Sequence, residues 1–323
     1  MSKQRTVFLG RRTFAGRLEL VGTLTTRTAL RITAGSSRDV SGPDLPVVQD
    51  TLGRPYIPGA SFKGVLRNCA ESLLRTLQLY ASPTSQEPLL SCMSVSKSDD
   101  SKAYQWPDQY PGYLTAGTVA HMKEHEFHNQ TEVLNQALYE RSCWVCRAFG
   151  APWLASPLLV KDLLLDEASW TGHLGQRNGV GIDRDTGAAR EKVRYDFQVV
   201  PIDAQFTCQL IIDGACDAEV GVILLALEAM TNGLAHVGGA TSRGLGRIVL
   251  AMDWTHCTSI ASTDALTIFG NRAIGSAIPS GDGLSVAARA GYLQAFLNAG
   301  GLPTKGVSKW QQVQSQENND GSN

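Results

Sequence analysis

The chain has 323 residues, a formal net charge of −1 and a hydrophobic content of 43%. That length exceeds the usual size of a single domain, although one domain with long insertions also fits it. The near-neutral charge excludes binding to nucleic acid through an overall positive charge, so any such partner must meet a local basic surface.

Membrane and secretion signals are weak. No apolar run reaches about 18 residues, so we expect no membrane partner. Residues 1–14 lack the long apolar stretch of a signal peptide, and we expect a cytoplasmic protein. Seven cysteines in a reducing compartment argue against a framework of disulfides and leave metal ligands or buried thiols.

The first half of the chain predicts strands, a loop, a helix and an insertion. Residues 12–33 contain alternating apolar positions and predict strands, and the Gly-, Ser-, Asp- and Pro-rich stretch 34–57 predicts a loop. The stretch "IPGASFKGVLRNCAESLLRTL" (57–77) has apolar residues at helical spacing, with Ser61 as its predicted cap. The polar residues 80–142 predict an insertion.

The second half repeats this order. A strand is predicted at 203–215, a largely buried helix at 217–232 and a strand at 246–254. Together the elements predict an α+β fold with a ferredoxin-like (RRM-like) core, its helices on one face of an antiparallel sheet. We expect this core over residues 1–265, a C-terminal extension over 266–305 and a disordered tail over 306–323.

A charged arm, "NGVGIDRDTGAAREKVRYDFQVVP" (178–201), lies between the halves. Gly181 and Gly187 allow bends, "RDTGA" predicts a turn at the tip, and the alternating end from Phe197 predicts a strand. The arm is therefore predicted to be a protruding β-hairpin. The alternative is an ordinary surface hairpin whose charges pair with one another.

The cysteines predict a zinc-knuckle-like region. "CWVC" places Cys143 and Cys146 at the C-x-x-C spacing of many zinc sites, and Cys92 lies upstream. A histidine of the insertion would complete a structural zinc site, and among His121, His125 and His128 we choose His128. The alternative is that the thiols are buried and the histidines are solvated.

Three ordered motifs resemble the RAMP superfamily of CRISPR proteins. They are "PGASFKGVLR" (58–67), "GIDRDTGAAR" (181–190) and "GGATSRGLGR" (238–247). The resemblance covers about residues 12–254 and is closest to the repeated backbone subunit of type III effector complexes. It implies as partners a guide RNA (crRNA), a complementary target RNA, and other RAMP-type and large subunits of such a complex.

The resemblance implies that the first helix and the glycine loop flank the guide RNA. Lys63 and Arg67 lie at i and i+4, so both cations share a helix face. Small residues of the loop allow close approach of its amides to a phosphate, and Arg243 adds a cation. The predicted contacts of the loop are Gly238, Gly239, Ser242 and Arg243. The alternatives are a solvated helix face and a helix end followed by a tight turn.

By the same resemblance, the arm is a thumb that reaches the next subunit and wedges between guide and target. Arg184 and Arg190 are its predicted phosphate contacts, together with Arg194. This role requires the arm to project from the core at an edge between its two halves.

The candidate catalytic residue is Asp44 in "RDVSGPDLPVVQD" (38–50), which also contains Asp39 and Asp50. Subunits that cleave target RNA resemble this stretch, with an acid just before a Pro-Val pair. Cleavage in this family leaves a 2′,3′-cyclic phosphate, so the neighbouring 2′-hydroxyl attacks. Asp44 would act as a general base or hold Mg²⁺ on the phosphate. The alternative is a loop residue that bonds its own backbone.

Two other functions stay open. The first is a subunit that grips guide RNA and cuts nothing. The second is a stand-alone RNase that trims guide precursors, against which the thumb-like arm and the acidic loop argue. In addition, no histidine lies in the first helix or the glycine loop, although His236 is close to the loop.

Overall fold

The structure, a computed structural model, describes most of the chain. It describes residues 16–33, 35, 43–80, 90–92, 114, 116–128, 130–260 and 283–300. Asp39 and the predicted tail from residue 306 lie outside these ranges.

Nine strands and six α-helices are found in the described residues. The strands are β1 Arg17–Thr26, β2 Tyr56–Ile57, β3 Leu158–Val160, β4 Leu163–Leu165, β5 Gly175–Ile182, β6 Ala189–Val199, β7 Gln205–Asp213, β8 Ile248–Met252 and β9 Thr258–Ile260. The α-helices are α1 Gly59–Tyr80, α2 Ala116–His121, α3 Thr131–Arg141, α4 Trp144–Phe149, α5 Asp217–Thr231 and α6 Val286–Ala299. A π-helical turn, Met122–Glu126, follows α2.

The main sheet has seven strands, with β2-β4-β7-β1-β8 in order, β3 beside β7 and β9 beside β1. The pairs are antiparallel, and β1 pairs with β7 from Arg17↔Asp213 to Thr25↔Gln205. Alternate residues of β1 are buried, including Leu20 and Leu24, because successive side chains of a strand point to opposite faces. The predicted α+β fold with an antiparallel sheet is confirmed.

Helix α1 begins at Gly59, two residues before Ser61, the residue that the sequence predicted as its cap. Ser61 does not cap it, because the carboxylate of Asp162 accepts the amide of Gly59 at 2.8 Å and the carbonyl of Pro58 accepts that of Ser61. The prediction of a Ser61 cap was therefore wrong. A side chain at Gly59 would overlap the carbonyl of Val160, so this helix start lies directly against the end of β3.

Helix α6 lies within the predicted C-terminal extension and packs against α5. A side chain at Gly221 would overlap the carbonyl oxygen of Tyr292, so the two helices approach closely. Phe296 is fully buried and meets Trp144 edge to face, with ring centroids 6.1 Å apart. This cover explains why α5 is apolar on nearly all of its sides.

The described part of the insertion is helical and has a small core of its own. Its buried apolar residues are Leu114, Val119, Met122, Leu134 and Leu138. This small core was not expected, because the insertion is mostly polar in sequence. Within the described ranges, no helix combines the length and apolar character that a membrane crossing requires.

Candidate functional site

The charged arm forms an antiparallel hairpin of β5 and β6, paired from Gly175↔Val199 and separate from the main sheet. At its tip the Asp183 carboxylate accepts the amides of Asp185 and Thr186 at 2.9 and 3.1 Å. The amide of Thr186 and then that of Asp185 hold the pKa of Asp183 below its usual value. Gly187 has φ 65°, the left-handed conformation that the predicted turn needs.

The predicted cations of the arm differ in what the structure describes. Arg184 is exposed at the tip. The backbone of Arg190 and Arg194 lies in β6, while their side chains lie outside the description. Their contacts with phosphate stay predictions.

The base of the hairpin is anchored on the segment that follows β1. Leu30 and Val200 exchange two backbone hydrogen bonds of 2.9 and 2.8 Å. Phe197 and Val199 are buried in a cluster with Ala29 and Leu245. The end of β6 is thus fixed, because both its backbone and its side chains are held by the core.

Asp44 lies beside this base. Its Oδ2 accepts the amide of Asp196 at 2.9 Å, and Leu45 exchanges backbone hydrogen bonds with Asp196 and Gln198. The side chain of Asp44 is exposed. Among the described residues its Oδ1 accepts no hydrogen bond, so that oxygen is available to a ligand.

Asp50 has a different environment from Asp44. Its carboxylate accepts the amides of Leu52 and Arg54 and the Arg54 Nε, all within 2.9 Å. The backbone amide of Arg54 is the largest of the effects that lower the pKa of Asp50. This carboxylate therefore closes its own turn, whereas that of Asp44 faces solvent.

The glycine loop packs against the same segment after β1. The amide of Gly239 donates to the carbonyl of Arg31 at 2.8 Å, and that of Gly246 to the carbonyl of Ala29 at 3.0 Å. Side chains at Gly238 or Gly246 would overlap protein backbone, at Arg31 and Val237. These two glycines are therefore needed for packing of the loop, whatever else the loop binds.

The outer part of the loop is exposed. Thr241–Arg243 form one short 3₁₀ turn, preceded by Ala240 at φ 60°, an uncommon conformation for a residue with a side chain. Ser242 and Arg243 are exposed, as are Gly238 and Gly239. The tip of the loop is therefore open to a ligand, as its predicted role requires.

An aromatic pair connects the glycine loop to the hairpin. The Arg243 Nη1 donates to the Tyr195 hydroxyl at 2.6 Å. The Tyr195 ring stacks on that of Phe197, with centroids 6.0 Å apart. The Arg31 guanidinium lies over the Phe197 ring, 4.7 Å from its centroid. Four separate segments thus meet at one place, which we call the hairpin base: residues 29–31, 43–48, 195–200 and 238–247.

Sequence reasoning missed Arg31, Tyr195 and Phe197. Their available signal was weak: a charged residue in the alternating run "LRIT" and two aromatic residues two positions apart at the end of the arm. Neither pattern shows that the two segments meet.

The helix cations have internal partners. Lys63 Nζ donates to the carbonyl of Leu158 at 2.7 Å. Arg67 pairs with Glu71 at 2.8 Å and donates to the carbonyl of Gly150, also at 2.8 Å. Both side chains are only partly exposed. These hydrogen bonds join α1 to the core rather than to the hairpin base, so they do not support the predicted RNA contacts.

Three of the four predicted zinc ligands come together. The Sγ atoms of Cys92, Cys143 and Cys146 all lie within 4.8 Å of one another, and those of Cys92 and Cys146 are 3.5 Å apart. Hydrogen bonding with Cys146, then with Cys92, raises the pKa of the Cys143 thiol well above its usual value. A soft metal that binds three thiolates, such as zinc, suits this group.

The predicted histidine is not part of this group. His128 is exposed, and the group of ligand atoms found in the described residues contains the three cysteines alone. His121 and His125 are also exposed, with ring centroids 4.7 Å apart. Arg67 Nη2 lies 3.7 Å from the Cys146 Sγ, so the group sits against α1.

Comparison with known proteins gives the family. The model of the RAMP superfamily matches residues 23–249, more than half of the chain. The chain therefore belongs to the RAMP superfamily, and its membership indicates a CRISPR-associated RNA-binding subunit. No curated protein matches it.

Proposed function

We propose that this protein is the repeated backbone subunit of a type III CRISPR effector complex, which binds crRNA and cleaves complementary RNA. The single observation that carries this proposal is the position of Asp44. Its exposed carboxylate is fixed by the Asp196 amide at the hairpin base, and the adjacent Leu45 packs in one cluster with Ala240 and Leu245 of the glycine loop.

The architecture supports the proposal. The strand order β8-β1-β7-β4 agrees with the order 4-1-3-2 that a ferredoxin-like core would have, and α1 and α5 would be its two helices. The β5–β6 hairpin leaves this core as a separate two-stranded sheet. A hairpin of this kind suits the role of a thumb that extends over the RNA of a neighbouring subunit.

RNA contacts are proposed for the exposed cations and amides near the hairpin base. They comprise Gly238, Gly239, Ser242 and Arg243 of the loop, and Arg184 and Arg190 of the hairpin. Phosphate contacts of this kind position RNA without reading its sequence, as a subunit that serves any guide requires. Lys63 and Arg67 are left out, because their described hydrogen bonds are internal.

Cleavage would be an in-line attack by a ribose 2′-hydroxyl on the adjacent phosphorus. The bond from phosphorus to the 5′-oxygen breaks, this oxygen takes a proton from water, and the products are a 2′,3′-cyclic phosphate and a 5′-hydroxyl. Oδ1 of Asp44 either accepts the 2′-hydroxyl proton or binds Mg²⁺, which would neutralise charge on the phosphate. The fixed Oδ2 limits rotation of the carboxylate and so favours either role.

A second candidate is a subunit that binds crRNA without cutting. The hydrogen bond from Asp196 to Asp44 favours it, because a carboxylate that orders the 43–48 segment has a structural use already. The two candidates share the RNA surface and differ in what Asp44 does.

We also propose that the three cysteines bind a structural zinc. Cys92 lies in the insertion, and Cys143 and Cys146 lie at the start of α4. A metal bound by all three would therefore tie the insertion to the core. The fourth ligand would come from outside the group.

The deciding experiment assembles the complex with crRNA and adds labelled complementary RNA in Mg²⁺. We expect cleavage fragments with 2′,3′-cyclic phosphate ends from the natural subunit and none from Asp44→Ala, with crRNA content unchanged. Equal cleavage by both would contradict the catalytic role. An absence of cleavage by the natural subunit would leave the binding candidate.

A further inference from the structure

We propose that Arg31 binds a phosphate of RNA at the hairpin base. This inference rests on the proposed RNA binding and adds to it a ligand from a segment outside the glycine loop. The supporting observation is that the Arg31 guanidinium lies over an aromatic ring and has no carboxylate partner among the described residues.

Arg31 has no carboxylate partner among the described residues, and its Nε is buried without a hydrogen bond. Its guanidinium instead lies over the Phe197 ring. Several other arginines have acidic partners, while the buried Arg147 donates to the backbone carbonyls of Ser142 and Glu140. The acidic pairs include Arg17–Asp213, Arg27–Asp203, Arg54–Asp50, Arg67–Glu71 and Arg75–Glu71.

Among the described residues, two other arginines, Arg75 and Arg289, also have a buried Nε without a hydrogen-bond partner. Arg75 pairs with Glu71 through its Nη2. Arg289 lies over the Trp254 ring, and the charge of Glu228 acts on it. Arg31 differs from Arg75 because no carboxylate of the described residues forms an ion pair with it.

An uncompensated guanidinium that is partly buried is costly unless a ligand compensates it. The Phe197 ring covers one face of the group, and its Nε is buried, so an anion would bind through the two Nη atoms. A guanidinium binds two phosphate oxygens through parallel N–H groups, which a lysine cannot do. The same fork also suits a carboxylate, but no carboxylate of the described residues pairs with Arg31. A phosphate is therefore proposed because Arg31 lies against the glycine loop, where its carbonyl accepts the Gly239 amide.

The location agrees with an RNA ligand. The carbonyl of Arg31 accepts the Gly239 amide at 2.8 Å, so its backbone is part of the packing of the glycine loop. Arg31 and Arg243 reach the same pair of stacked rings from two different segments. A phosphate backbone that passes the loop would thus meet both cations.

The test measures binding of a labelled single-stranded RNA of mixed sequence at several salt concentrations. Arg31→Gln should reduce affinity about tenfold at low salt, and it should lower the salt slope by about 0.7, the contribution of one phosphate. Arg31→Lys should retain the slope and lose only about threefold, because its charge remains without the planar fork. Arg27→Gln is the matched control, since Arg27 already pairs with Asp203.

Phe197→Leu provides a second approach if Arg31→Gln does not fold. It keeps the apolar contact of the cluster and removes the ring, so it should weaken binding about threefold without changing the slope. If the natural protein binds RNA and Arg31→Gln shows the same affinity and the same salt slope, the Arg31 assignment is overturned while the proposed function stands. If the natural protein binds no RNA, both fall.

Discussion

Helix α1 and the hairpin base both carry cations on a RAMP protein, but they use them differently. On α1, Arg67 is held by Glu71 and by the carbonyl of Gly150. At the hairpin base, Arg31 and Arg243 contact aromatic groups instead of carboxylates. The carboxylate partner ties Arg67 into the fold, whereas Arg31 and Arg243 have no carboxylate partner among the described residues and are the cations proposed to meet RNA.

The largest effect is expected at Asp44, where a substitution can distinguish a catalytic role of the carboxylate from a structural one. Asp44→Asn keeps an oxygen that can accept the Asp196 amide, but it removes the charge. We expect it to lower the cleavage rate by roughly two to four orders of magnitude, as loss of acid–base or metal assistance does. Single-turnover cleavage of complementary RNA measures it.

Asp50→Asn serves as the control, because Asp50 is bound by its own turn. It should cut at the natural rate. Near-natural cleavage by Asp44→Asn would show that Asp44 orders its segment and does no chemistry.

The next largest effect is expected at the three cysteines, which lie against helix α1 rather than at the hairpin base. Natural protein prepared without chelator should contain about one zinc per chain. Cys143→Ser and Cys146→Ser should lose the metal and expose the insertion to protease, because a structural metal contributes its binding energy to folding. Elemental analysis and limited proteolysis measure the two results.

Cys216→Ser is the matched control, since Cys216 lies at the start of α5 outside the group. It should keep its zinc. If the natural protein contains no metal, the zinc proposal falls, and the group is three thiols of which Cys143 and Cys146 are buried.

A smaller effect is expected at Arg67. Arg67→Met removes one of two arginines from the buried Glu71 and the hydrogen bond to Gly150. We expect the free energy of unfolding to fall by about 1–3 kcal/mol, with RNA affinity unchanged. Chemical denaturation and RNA binding are measured on the same preparation. A stable variant that binds RNA poorly would reverse the roles of the two regions.

The smallest effect is the reciprocal one at Arg243. Arg243→Met should leave the free energy of unfolding unchanged, because the side chain is exposed and its described partner is one hydroxyl. It should lower the salt slope of RNA binding by about 0.7. Tyr195→Phe is its control, since it removes the hydroxyl and retains the cation. An unchanged slope in Arg243→Met would place the RNA elsewhere.

The sequence predicted helices, strands and groups of residues close in the chain better than contacts between distant segments. The C-x-x-C spacing placed Cys143 and Cys146 together, and periodicity predicted β1, α1 and α5. The choice of His128 failed because nothing in a sequence tells which histidine of a long insertion approaches the cysteines. The ion pair of Arg67 could have been predicted, since Glu71 lies four residues after it.

The hairpin base could not be predicted in the same way. Arg31 and Phe197 are 166 positions apart by their residue numbers, and their contact depends on how the end of β6 packs beside the segment after β1. Asp44 was found through a motif, but its hydrogen bond with Asp196 spans a similar separation. Contacts of this kind follow from tertiary packing and leave no periodic pattern.

The central claim is that RNA lies along the hairpin base, and photo-crosslinking tests it most directly. A single-stranded RNA that contains 4-thiouridine is crosslinked to the protein, and the modified peptides are identified by mass spectrometry. If RNA lies along the hairpin base, we expect crosslinks within residues 29–31, 195–197 and 238–244. Crosslinks confined to α1 or to the exposed face of the main sheet would contradict it.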